Sequence, residues 1–112
     1  MNTIRRTEEF SAWLGELRDI RAKARILVRI DRLELGLLGD VKSVGGKVSE
    51  LRIDHGPGYR VYFTWQGREI VLLLIGGDKG SQSRDIAKAQ TMVELMEVPK
   101  HGKNKDPRVR RR

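Results

Sequence analysis

The sequence contains no cysteine and only two histidines, His55 and His101, among its 112 residues. Disulfides, thiolate zinc sites and cysteine nucleophiles are therefore excluded, and two histidines cannot form a histidine-only metal site. No apolar run approaches the ~20 residues of a membrane-spanning helix, and no apolar signal core follows Arg5 and Arg6. We expect a soluble, cytoplasmic protein that uses no metal or other cofactor and binds no membrane.

The length limits the class of protein further. A chain of 112 residues is one domain by the usual size prior, too short for a Rossmann dehydrogenase, a kinase or a barrel enzyme. Hydrophobic residues make up 38% and charged residues 34% of the chain. This composition supports one modest core and differs from the apolar-poor composition of a disordered chain.

Positive charge is concentrated at the C-terminus. The chain carries a net charge of +8. Residues 100–112, with the sequence KHGKNKDPRVRRR, hold seven basic residues and one acidic residue, which leaves +2 for residues 1–99. Pro99 and Pro107 argue against a packed helix there. We therefore predict a folded domain over residues 1–99 and a basic, disordered tail over 100–112, which is either a phosphate-attracting arm or a solubilising extension.

The N-terminal third is predicted to contain two helices after a short edge strand at residues 3–6. Thr7 can cap the first helix, and apolar residues then recur at helical spacing from Phe10 to Leu17. A second apolar stripe predicts a helix over about residues 21–35, whose other faces are rich in arginine. Because the connection between them is short, the two helices should form an antiparallel hairpin.

After Asp40 the hydrophobic period changes to two, which predicts strands. Alternating or apolar segments separated by glycine-containing turns lie at residues 41–44, 48–54, 59–65 and 70–75. The glycine-rich segment 76–80 ends the last strand, and Ser81 or Ser83 can cap a final helix. This order predicts an α+β fold with an antiparallel sheet of about four strands, helices on one sheet face, and charged and aromatic residues on the other.

One set of side chains on the polar sheet face could carry chemistry. If segments 48–54 and 59–65 pair, Glu50, Arg52, Arg60 and Tyr62 share one side, and Lys79 follows the buried strand. Guanidinium and ammonium groups suit a phosphodiester whose transition state gathers negative charge, and Tyr62 could stack on an unpaired base. The alternative is a solvated strand face whose Arg and Glu pairs contribute little.

These segments, in this order, resemble the RelE/ParE toxin superfamily, in particular its HigB-like branch of phage-derived addiction-module killer proteins. The resemblance covers roughly residues 4–97 and is carried by VSELRIDHGPGYRVYF and IVLLLIGGDKGSQSRDIAKA. It implies a RelE-like fold, with a helical hairpin packed on a curved antiparallel sheet and a C-terminal helix. It also implies a type II toxin that inhibits translation by cleaving mRNA on the ribosome and is neutralised by a cognate antitoxin.

The resemblance assigns the basic site positions to Arg52, Arg60 and Lys79, with Tyr62 and Glu50 beside them. The implied reaction is metal-independent attack by the ribose 2′-OH on the adjacent phosphorus. Arg52 and Arg60 would hold the phosphoryl oxygens, and Lys79 would do the same or assist proton transfer. Glu50 is the expected general base because it is the only carboxylate predicted on that face, although the resemblance leaves the general acid and base open.

The same resemblance leaves two other functions open. ParE-like members of the superfamily act on DNA gyrase and cut no RNA, and a nucleic-acid-binding accessory protein could use the +6 tail alone. In the toxin interpretation the partners are mRNA, the ribosome and an antitoxin of helix-turn-helix type, with operator DNA reached only through the antitoxin.

Overall fold

The computed structural model describes residues 1–101, with side chains as far as Glu97. Five strands, a short 3-10 turn and three helices follow one another in this range. Residues 102–112, most of the predicted basic tail, lie outside the described residues, whereas the last helix includes Lys100 and His101. In chain order the elements are β1 (Thr3–Arg6), α1 (Glu8–Glu16), α2 (Ile20–Glu34), β2 (Val41–Gly45), β3 (Val48–Ile53), β4 (Tyr59–Gln66), β5 (Ile70–Asp78), the 3-10 turn (Lys79–Ser81) and α3 (Gln82–His101).

The five strands form one mixed sheet in the order β1-β5-β4-β3-β2. Strands β2 to β5 pair antiparallel, as predicted, but β1 pairs parallel to β5. The expectation of an antiparallel sheet of about four strands was therefore wrong at this edge. Parallel pairing is possible here because the whole intervening chain, including both N-terminal helices, separates β1 from β5 and provides the long crossover that parallel strands require.

The first helix begins at Thr7, the cap that the sequence predicted, and the second begins at Asp19, which was not predicted as a cap. Thr7 Oγ1 accepts a 3.0 Å hydrogen bond from the Phe10 amide at the start of α1. Asp19 Oδ1 accepts from the amides of Arg21 and Ala22 at the start of α2, at 3.0 and 3.1 Å. These caps satisfy amides that a helix leaves unpaired at its N-terminus.

The sheet is covered on both faces, which corrects the prediction that helices cover only one. Helices α1 and α2 lie on one face, where Phe10 and Ile26 join the inward residues of β3 to β5 in the main core. The predicted N-terminal helical hairpin on the sheet is matched only in part: both helices direct these apolar side chains at the sheet, but β1 precedes them and the other four strands follow them in the chain. Helix α3 covers the other face, where Ala89 and Val93 pack against Tyr62 in a second cluster. The apolar run in β5 is buried on both sides for this reason.

Strand β5 extends through the two glycines that were predicted to end it. Gly76, Gly77 and Asp78 continue the ladder with β4. A Cβ atom at Gly76 would overlap the Trp13 ring, and one at Gly77 would overlap the Asp85 carboxylate. The glycines therefore allow both helical layers to approach the strand closely, which is the usual reason for glycine inside a sheet.

No helix in the described part of the chain is both long enough and apolar enough to cross a bilayer.

Candidate anion-binding site

Strand register brings the three predicted cations together. Arg52 on β3 lies directly opposite Arg60 on β4, and Arg60 in turn pairs with Gly77 on β5. Lys79 follows two residues later, at the start of the 3-10 turn. The three side chains line one pocket of about 450 Å³, which we call the basic pocket. Its complete lining is Asp40, Arg52, Ile53, Asp54, Gly56, Pro57, Gly58, Arg60 and Lys79.

A tight turn between β3 and β4 forms one wall of the basic pocket. Gly56 and Gly58 adopt φ values of 55° and 81°, which glycine reaches without steric cost. The Lys79 amide donates a hydrogen bond of 3.4 Å to the Pro57 carbonyl. This contact ties the turn to the segment that carries the lysine, so the pocket is built by ordered backbone on two sides.

Two arginines directly opposite each other in a ladder repel, so this pair requires compensation. Glu50, two residue pairs further along the same ladder and on the same sheet face, supplies this compensation. Its Oε1 atom lies 3.8 Å from Arg52 Nε and 3.9 Å from Arg60 Nη1. Glu50 is completely buried, and a buried carboxylate requires partners of opposite charge. The three side chains therefore form one partly buried electrostatic unit.

The second carboxylate oxygen of Glu50 is held by hydrogen bonds. Tyr62 donates its hydroxyl to Oε2 at 3.0 Å, and Gln82 donates its side-chain amide to the same atom at 2.8 Å. Glu50 shares a sheet face with the arginines, as predicted, but it lies beneath them and does not line the basic pocket. A general base must reach the proton that it removes. In this geometry Glu50 is a counter-ion, which corrects the expectation of an open carboxylate.

Tyr62 is also buried rather than exposed on a groove. Its side chain has no solvent exposure and packs in the cluster beneath α3. Burial, followed by the hydrogen bond to Glu50, raises the pKa of the Tyr62 phenol well above its usual value of 10.0. The predicted stacking of Tyr62 on an RNA base is wrong for this conformation, because α3 covers the ring.

The cations differ in how firmly they are held. Arg60 is only 8% exposed, and its Nε atom has no hydrogen-bond partner among the described residues. Arg52 is 40% exposed at its side chain, with Asp40 Oδ1 at 4.0 Å, and Lys79 is exposed. The pocket thus combines a nearly buried guanidinium, a partly exposed one and an exposed ammonium, a set suited to an anion with several oxygens.

Two residues that support the site were not predicted. Gln82 is the first residue of α3 and fixes Glu50, whereas the sequence pattern singled out only its neighbouring serines as caps. Arg29 of α2 donates a 2.6 Å hydrogen bond to the Arg52 carbonyl. The sequence shows Arg29 only as one of several arginines on the faces of this helix outside its apolar stripe, and no local pattern distinguishes it from its exposed neighbours.

Carboxylates and histidines do not gather into a metal-binding group in the described residues: no three or more His, Cys, Asp or Glu side chains are suitably placed there. The charged side chains that line the basic pocket are two arginines, one lysine and two aspartates.

The fold and this basic pocket define a small α+β protein with a cationic site on a mixed sheet. The family described as Phage derived protein Gp49-like (DUF891) matches residues 12–97, and the chain belongs to it. This is a family of RelE-like toxins of toxin–antitoxin systems, so the resemblance to the RelE/ParE superfamily is confirmed at that level. An uncharacterized protein of Haemophilus influenzae (strain Rd) is 48% identical over 91 residues, which cover 81% of this chain and 92% of that relative.

Proposed function

We propose that this protein is a HigB-like toxin of a type II toxin–antitoxin system and a ribosome-dependent mRNA endoribonuclease. The observation that supports this proposal most directly is the convergence of Arg52, Arg60 and Lys79 in one pocket. Glu50 brings one carboxylate against these two opposed arginines, so the pair keeps an excess of positive charge that an anionic ligand can neutralise. Arg60 lines the pocket although it is only 8% exposed, so the protein holds this guanidinium in place before a phosphate arrives.

The proposed reaction is an internal transfer at phosphorus. The ribose 2′-oxygen forms a bond to the adjacent phosphorus and loses its proton to a base, while the bond from phosphorus to the 5′-oxygen breaks and that oxygen gains a proton. A 2′,3′-cyclic phosphate, or the 3′-phosphate formed from it by water, remains. Arg52 and Arg60 hold the non-bridging oxygens, where negative charge builds up.

Proton transfer is assigned to groups that line the basic pocket. Lys79 is exposed there and either binds the same charge or protonates the leaving oxygen. Asp40 and Asp54 are the carboxylates in the lining and replace the buried Glu50 as candidate bases. Because the pocket is open, an external scaffold that orients the RNA would contribute much of the rate enhancement. The ribosome is the proposed scaffold.

Two substitutions in the pocket test the proposal. Lys79→Ala alters an exposed side chain, and Arg60→Ala removes the fixed guanidinium. Each should abolish growth arrest and fragmentation of transcripts in a translating extract, while Arg68→Ala, in the exposed turn between β4 and β5, should leave both intact. Circular dichroism checks that each variant is folded. Folded variants that still cleave mRNA would remove the phosphate-binding role of these residues.

The proposed partners are mRNA, the ribosome and a cognate antitoxin of helix-turn-helix type, with operator DNA bound only through the antitoxin. The competing function, ParE-like binding of DNA gyrase without RNA cleavage, uses the same fold but needs no clustered cations. Induction followed by parallel assays of transcript fragmentation and gyrase-dependent DNA breaks separates the two. DNA breaks with intact transcripts would support the gyrase function instead.

A further inference from the structure

We propose that a groove on α2 binds the backbone of the RNA strand next to the linkage held in the basic pocket, an inference that rests on the proposed nuclease function. This α2 groove encloses about 360 Å³. It adjoins the basic pocket directly, because Ile53 and Asp54 line both. Its complete lining is Ala24, Arg25, Val28, Arg29, Arg32, Ile53 and Asp54.

The arginines of the groove lie along one face of the helix. Arg25, Arg29 and Arg32 are separated by four and three residues, the spacing of neighbours on a helix surface. From Arg25 to Arg32 the helix rises about 10 Å, which corresponds to about three nucleotides of a stacked strand at ~3.4 Å each. Arg25 and Arg32 are exposed, and no hydrogen bond or ion pair engages either side chain within the described residues.

Arg29 has a different part in this surface. Its guanidinium donates to the Arg52 carbonyl at 2.6 Å and to the Leu38 carbonyl at 3.4 Å. Gly39, with φ of 67°, lies against it so closely that a Cβ atom would be 2.9 Å from Nη2. Arg29 therefore joins α2 to the strand that carries Arg52 and fixes the wall between the groove and the basic pocket.

Charge and continuity favour a nucleic-acid strand as the occupant. Helix α2 carries five basic and two acidic residues, and Asp54 is the single carboxylate among the groove residues. A nucleic-acid strand, with one negative charge per nucleotide, can neutralise the arginines of the groove and the cations of the adjoining basic pocket along one continuous path. Such contacts go to phosphates and set the position of the strand without reading its sequence.

The test measures binding of 2′-O-methyl oligouridylates, which a nuclease dependent on the 2′-OH cannot cut. The full chain is compared with Arg25→Gln/Arg32→Gln and with a control of equal charge change, Arg68→Gln/Lys88→Gln, whose residues are exposed and lie outside both sites. For a 12-nucleotide probe, the slope of log K against log salt should fall by about 1.4 in the groove variant, at ~0.7 per lost phosphate contact. For a 3-nucleotide probe that fills only the basic pocket, it should stay unchanged.

Equal slopes for the groove and control variants would overturn the inference, and so would a wild-type protein that binds neither oligonucleotide. A groove variant that binds RNA normally but loses affinity for the cognate antitoxin would assign the surface to a protein partner and also overturn it. Because the probe is not cleavable, failure of the groove inference shows in the binding experiment alone, as a salt slope that the groove substitutions leave unchanged. Failure of the proposed nuclease function shows instead as intact transcripts in the translating extract.

Discussion

Replacement of Glu50 by glutamine should destabilise the protein strongly, because Glu50 is the buried counter-ion of two arginines. Its Oε1 atom lies 3.8 and 3.9 Å from their nitrogens, and its Oε2 atom accepts two further hydrogen bonds. Removing one partner from a buried charge cluster typically costs about 3–5 kcal/mol. For a domain of this size, 1 kcal/mol corresponds to roughly 4 °C in Tm, so Tm should fall by about 12–20 °C.

Thermal and urea denaturation of the purified protein measure this loss. Glu34→Gln removes the same charge from the exposed end of α2 and should change the stability by less than about 0.5 kcal/mol. A Glu50→Gln protein with unchanged Tm that no longer cleaves mRNA would refute the reasoning. It would show that Glu50 acts in proton transfer and that the opposed arginines need no neutralising charge beneath them.

Three further predictions concern other buried or capping groups. Tyr62→Phe should lower the free energy of unfolding by about 1.5–3 kcal/mol, because a hydrogen bond to a charged acceptor is lost. Since folding raises the pKa of the phenol, the stability that Tyr62 contributes is complete below about pH 10 and disappears as the pH rises further. In urea titrations above pH 10, the free energy of unfolding should therefore decline less with pH for the variant than for the wild type. The pKa of Asp19 is lowered, first by the Ala22 amide and then by His55. The stability that Asp19 contributes is therefore complete above about pH 4 and is lost in more acid solution. Between pH 2 and 5, the free energy of unfolding of Asp19→Ala should depend less on pH than that of the wild type. Gly76→Ala should cost about 1–3 kcal/mol by overpacking against Trp13, whereas Gly15→Ala, with open space at its Cβ position, should stabilise α1 by up to about 1 kcal/mol; equal melting temperatures for these two would contradict the packing argument.

Local patterns in the sequence were sufficient to predict most of the helices and strands and the clustering of Arg52, Arg60 and Lys79. The period-two alternation placed Arg52 and Arg60 on one face, and the turn HGPG set the register that makes them direct neighbours. The position of Lys79 followed from its place just after the apolar strand. These features depend on short-range geometry, which a single sequence carries.

The burial of Glu50 and Tyr62, on the sheet face that carries Arg52 and Arg60, could not be derived from such local patterns. Alternation assigns Glu50 and Tyr62 to the side of Arg52, but it does not say how much of that side α3 covers. The helix packs over Tyr62 and leaves the arginine end open, a matter of where a long element lies in space. The parallel pairing of β1 was equally inaccessible, since four residues carry too weak a pattern to select a partner strand.

The four residues of β1 also have a consequence for the solubility of the folded sheet. By hydrogen bonding along β5, with the Thr3 amide 2.6 Å from the Glu69 carbonyl, they occupy the edge of the most apolar strand. An open edge of that kind is a template on which a second chain can add. The opposite edge, β2, is short, carries the exposed Lys42 and is interrupted by a register shift between Ser43 and Gly45. Both edges of the sheet are thus protected against the addition of a strand from another molecule. Loss of residues 1–6 would expose the edge of β5, the more apolar of the two.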